Sequence, residues 1–76
     1  MHSRLGEMPY STNASLPPPL RVLPAHAQDI YREAFNHAFE RYGAGEEARA
    51  HRIAWAAVKR SYEQLADRWV PRDRDW

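Results

Sequence analysis

The sequence contains no cysteine, so disulfides, thiolate nucleophiles and the usual Cys-containing structural zinc sites are all excluded. A chain of 76 residues without such staples has to be held by packing. Long apolar runs are also missing. Nothing approaches the roughly 18 residues needed to span a bilayer, and the opening MHSRLGE lacks the apolar stretch of a signal peptide. The expected location is therefore the cytoplasm, without membrane insertion. Charge of one sign is not in excess: 11 Lys and Arg stand against 10 Asp and Glu, a balance that does not demand a polyanionic ligand. With only 3 glycines there is no Gly-rich phosphate loop. Ser3, Ser11 and Ser15 lie in a loose lead and Ser61 in a helical stretch, so none occupies a turn that would set its hydroxyl beside a base. No catalytic residue, cofactor or dedicated metal site is expected, and the chain does not read as an enzyme.

Aromatic residues are abundant: 3 Trp, 4 Tyr and 2 Phe. Each can remove a large apolar area from water, and most are expected in the core. A single domain of this size buries only about 60% of the surface its unfolded chain exposes. A large enclosed cavity is not expected.

Taken in order, residues 1–7 read as a flexible lead, residues 8–70 as the folded domain and residues 71–76 as a flexible tail. Residues 8–10 and 68–70 are short aromatic and β-branched segments, expected to pair as a two-stranded sheet that joins the two ends of the chain. Such a pair is marginal alone and needs a helix to pack on. Pro17, Pro18 and Pro19 push the residues before them toward extended geometry, after which Leu20, Val22 and Leu23 can form a short helix that Pro24 ends. A long helix follows over residues 24–42, with Gly43 at its C-terminal cap. Ala27, Ile30, Tyr31, Ala34, Phe35, Ala38, Phe39 and Tyr42 share its broad apolar face. Gly43, Ala44 and Gly45 turn the chain back, and Glu46 and Glu47 complement the dipole at the start of a second long helix. That helix is expected to reach Ala66, with Ala48, His51, Trp55, Val58, Tyr62 and Leu65 as its seam.

The wording of these segments carries a resemblance. Met8-Pro9-Tyr10, Leu16-Pro17, Val22-Leu23-Pro24, His26-Ala27-Gln28-Asp29-Ile30-Tyr31, Ala34-Phe35-Asn36, Ala38, Tyr42, Ala50-His51, Ala54-Trp55 and Val58-Lys59 together resemble the ChaB family over about residues 8–70. LPAHAQDIY followed by AFN is the strongest piece. The resemblance implies a mainly α, compact three-helix domain, one short and two long antiparallel helices, with a small two-stranded β-sheet. It also implies a cytoplasmic regulator that docks on a sodium or calcium/proton antiporter. Two departures stand out. Pro18 and Pro19 replace residues that are more often charged or helix-favouring, and the connection of residues 43–46 lacks the fuller charged turn of some relatives.

Four groups of side chains bear on function. His26, Asp29, Glu33, His37 and Glu40 fall within an arc of about 80° opposite the aromatic face, the expected partner-binding surface; the same pattern suits a solvated face, or ligands for a small metal-binding protein. On the second helix Arg49, Arg52, Lys59 and Arg60 form a basic face, which admits a nucleic-acid-associated module as the alternative. Some relatives carry a ChaB-like segment beside a domain resembling the N-terminal part of Rho, which fits that alternative. His51, set in the expected seam, reads as a satisfied core histidine or as a pH-sensitive core group. Asn36 and Trp55 read as structural, Asn36 reaching a backbone group or the second helix.

Overall fold

The computed structural model describes residues 10–72. Two α-helices pack antiparallel and a β-hairpin follows them: α1 is Ala25–Tyr42, α2 Glu47–Ser61, β1 Tyr62–Leu65 and β2 Arg68–Pro71. Short 3-10 segments at Asn13–Ser15, Pro18–Val22 and Ala44–Glu46 make the connections. The expected third helix is thus one 3-10 segment. Its prolines supply no N–H for helical hydrogen bonds, and Leu23 turns extended immediately before Pro24, as a residue preceding proline prefers.

α1 follows its apolar pattern. Ala27, Tyr31, Phe35 and Ala38 are buried, while Ile30, Ala34 and Phe39 lie partly buried against the core. Gly43 ends the helix at φ 95°, and its N–H donates to Phe39 O; the positive φ is the reason a glycine stands there.

The seam of α2 differs from the expected one. It consists of Ala50, Ala54 and Val58, each fully buried, whereas Ala48 and His51 are exposed and Trp55 is half-buried. Small residues four apart let two helices approach closely, so α2 turns Ala50, Ala54 and Val58 into the same buried cluster as Tyr31 and Phe35 of α1 and leaves the bulkier His51 and Trp55 at the rim, where both meet the Tyr31 ring. Leu16, Leu20 and Leu23 close the core from the N-terminal side.

α2 also stops five residues sooner than its periodicity suggests. Tyr62 is extended at φ −134° and ψ 154°, and its ring is buried. From there β1 pairs antiparallel with β2 in the register Tyr62↔Pro71, Glu63↔Val70, Gln64↔Trp69 and Leu65↔Arg68. The partner of residues 68–70 among the described residues is therefore the neighbouring segment; the strand expected at residues 8–10 lies outside the described residues except for Tyr10, which is not in a strand. A local hairpin closes a far smaller loop than pairing the chain ends would. Leu65, expected in the seam, sits exposed near the hairpin turn. Trp69 reaches back to Trp55, with ring centroids 5.5 Å apart, and this contact seats the hairpin on α2. Order continues past Val70: Arg72 N–H donates to Ser61 O at 2.8 Å and its Nε to Lys59 O at 2.6 Å.

The place expected for a strand at Tyr10 is filled by a side chain. Asn36, buried on α1, accepts the Tyr10 N–H through Oδ1 at 3.2 Å and donates through Nδ2 to Tyr10 O at 2.7 Å. One carboxamide satisfies both backbone groups, as a neighbouring strand would.

Candidate functional site

The two helices bury facing sides and turn their remaining sides outward, so the outward faces are the places where this domain can meet something. On α1, His26, Glu33, His37 and Glu40 are all exposed, as are Ala25, Arg41 and Tyr42 at its ends. The first four belong to the expected stripe. The fifth member, Asp29, is occupied differently: its Oδ1 accepts from Asn13 Nδ2 at 2.7 Å and lies 3.6 Å from Arg32 Nη2. Arg32 Nε in turn donates to Asn13 Oδ1 at 2.7 Å. This triangle clips the first 3-10 segment to α1, so Asp29 serves the fold. Asn13 was not singled out from the sequence, because a lone Asn in a polar lead carries no periodic signal.

His26 also has a structural tie. Its Nδ1 lies 3.3 Å from Tyr62 Oη, which joins the start of α1 to the start of the hairpin. Glu33, His37 and Glu40 form the open part of the face. Among the described residues no group of three or more His, Asp and Glu side chains converges as a metal site would require, so one-turn spacing along the stripe does not bring ligands to a common point.

On α2, Arg49, Arg52, Lys59 and Arg60 are exposed. Arg49 pairs with Glu46 at 3.8 Å, and its guanidinium stands 4.5 Å from the centre of the Tyr42 ring, which Arg41 also approaches at 5.7 Å. Ile53, 37% exposed, and Tyr42, 39% exposed, flank this basic strip.

His51 is not the core histidine its heptad position suggested. It is exposed, because α2 is rotated so that Ala50 and Ala54 meet α1, and the burial on which the expected pH-sensing role rested is absent. It keeps one link to the interior. Trp55 Nε1–H donates to His51 Nε2 at 3.2 Å, and His51 Nδ1 is hydrogen-bonded with Tyr31 Oη. Tyr31 itself is buried, and burial first, then the neighbouring Tyr10, raises its phenol well above the usual 10.0. The phenol thus stays neutral and the chain Trp55–His51–Tyr31 orients the rim of the hairpin.

No helix among the described residues is long and apolar enough to cross a membrane. Comparison with known proteins gives a single picture. The family model for ChaB matches residues 16–72. "Putative cation transport regulator ChaB" of Escherichia coli strain K12 is 48% identical over 69 residues, covering 79% of this chain and 91% of that protein, and the proteins of the same name from Escherichia coli O157:H7 and Shigella flexneri match equally well. Among solved structures, the NMR solution structure of the ChaB protein so named matches with a TM-score of 0.72 and 44% identity, covering 86% of this chain and all of that one.

Proposed function

Since this chain belongs to the ChaB family, whose matched members bear the name "Putative cation transport regulator ChaB", we propose that it is a non-enzymatic regulatory domain that docks the outward face of α1 on the cytoplasmic side of a sodium or calcium/proton antiporter. The observation that carries this reading is the open acidic face. Glu33 and Glu40 stand exposed on α1, two helical turns apart, with His26 and His37 beside them and the opposite side of the helix committed to the core. Cytoplasmic loops of membrane proteins are enriched in Lys and Arg, so an acidic helix face is the complementary surface for them. Asp29 stands outside the docking set because Asn13 and Arg32 already hold it.

Everted membrane vesicles from the native host, assayed for sodium/proton and calcium/proton exchange with and without added protein, test the reading. The wild-type protein changes the exchange rate, and Glu33→Lys with Glu40→Lys abolishes the effect while keeping the helical circular dichroism. An exchange rate unmoved by the wild-type protein, or moved equally by the variant, refutes it.

A further inference from the structure

The outward side of α2 has no role in that docking, and its composition is specific. At about 100° per residue, Lys59, Arg52, Arg49, Arg60 and Ile53 fall within an arc of roughly 120° that contains no acidic residue of the helix. They extend over roughly 16 Å of its length. Glu46, just before α2, pairs with Arg49, and Tyr42 comes under the Arg49 guanidinium at 4.5 Å. The strip is therefore cationic, with a half-open aliphatic side chain and a half-open tyrosine on its border.

We propose that this strip is a peripheral docking surface for an anionic phospholipid bilayer, on which the domain lies with α2 parallel to the membrane plane. Charge complementarity selects the class of partner, since clustered Lys and Arg are drawn to the negative surface of an anionic leaflet. Two further features favour lipid over nucleic acid. A single-stranded nucleic acid needs an open aromatic face on which bases can stack, and the one aromatic ring at the strip, Tyr42, has the guanidinium groups of Arg41 and Arg49 over it. Exposed Ile53 adds nothing to phosphate binding, whereas tyrosine and aliphatic side chains beside basic residues suit the headgroup boundary. Four cations give reversible adsorption, so the strip orients the domain at a membrane and does not anchor it.

The proposal concerns the protein alone and does not require the α1 docking to be correct. Flotation of the full chain with phosphatidylcholine vesicles, with and without phosphatidylglycerol, tests it. Binding appears only with the anionic lipid. Each neutralised cation weakens it about fivefold, so Arg52→Gln with Lys59→Gln lowers it roughly 25-fold. Ile53→Ser weakens vesicle binding severalfold while leaving any DNA or RNA binding unchanged, and Glu33→Lys with Glu40→Lys does not weaken it. No preference for anionic vesicles, binding unaffected by the double neutralisation, or duplex DNA or single-stranded RNA bound more tightly than the vesicles at the same salt overturns the proposal.

Discussion

Replacing Asn36 by Ala probes the joint between the N-terminal segment and α1. The wild-type carboxamide makes two hydrogen bonds to the Tyr10 backbone, at 3.2 and 2.7 Å. Each is worth about 1 kcal/mol net, and removing both leaves a partly buried N–H and C=O unpaired, which adds a desolvation cost of up to about 1 kcal/mol where water cannot enter. Against this, Ala gains about 0.5 kcal/mol in helix propensity. The expected loss is about 2 kcal/mol, from a total of roughly 4–11 kcal/mol for a chain of this length. Urea unfolding followed by circular dichroism and by tryptophan fluorescence measures it. Asn36→Asp gives the sharper test. It keeps the acceptor for Tyr10 N–H but, when ionised, turns a carboxylate toward Tyr10 O. Protonation restores the lost donor, so the folded state favours the protonated acid and raises its pKa. The variant's deficit is then small at acidic pH and grows as the pH rises through that raised pKa. A loss under about 0.5 kcal/mol in Asn36→Ala, or a deficit in Asn36→Asp that is independent of pH, refutes the account of Asn36 as a surrogate strand.

Other expectations follow from the same contacts. The Tyr31 phenol titrates above the ordinary 10.0 in the folded state, so its contribution to stability is constant below that pH. Above it the unfolded chain loses the proton first, and stability falls by about 1.4 kcal/mol per pH unit; Tyr31→Phe removes this component from chemical-denaturation curves collected from neutral to alkaline pH. Ala66 holds φ 60° at the first position of the hairpin turn, a conformation that costs a non-glycine residue about 1–2 kcal/mol, so Ala66→Gly raises stability by about 0.5–1 kcal/mol after its own entropy cost; an unchanged or lower urea midpoint counts against it. Ala54 is fully buried between the helices, and Ala54→Leu destabilises by about 1–3 kcal/mol in the same assay through overpacking.

What could be read from the sequence was what local periodicity and chain punctuation encode. Prolines before α1 and Gly43 after it bracketed that helix to within a residue, and its aromatic face was assigned as it packs, apart from Tyr42 at the solvent edge. The phase of α2 was not legible, because two apolar readings overlap on it. Ala48, His51, Trp55 and Val58 satisfy a heptad, while Ala50, Ala54 and Val58 satisfy a spacing of four. Bulk favours the first reading, but close approach of helices favours the second, since small side chains let the two helices pack near one another. The hairpin was hidden for a related reason. Tyr62 and Leu65 continue the helical period, and Ala66-Asp67 is not a turn pair with glycine or asparagine. The pairing of β2 with residues 62–65 is favoured by tertiary contacts, the burial of Tyr62 and the Trp55–Trp69 pair, which no single segment displays. At the candidate site, the stripe on α1 was recognisable from spacing, but the withdrawal of Asp29 depends on Asn13 approaching from 16 residues away.

The division of the molecule by its own packing bears on how the two outward faces act together. α1 and α2 bury facing sides, and Glu33 and Glu40 stand exposed on one helix while Arg52 and Lys59 stand exposed on the other. A domain that binds a basic loop with one face and an anionic leaflet with the other would sit between them, and both attachments would be electrostatic. Exposed charges more than about 8 Å apart are largely screened at physiological ionic strength, so raising the salt should weaken antiporter docking and vesicle binding together. The fold should not respond, because its core is the apolar set from Leu16 to Tyr62 and its surface ion pairs contribute little. The measurement is a salt titration of vesicle flotation and of transport modulation, with the urea midpoint as reference. Binding that persists at high salt would show that exposed Val22, Ile53 or Leu65 drives association, and the assignment of function to the charged faces would fail.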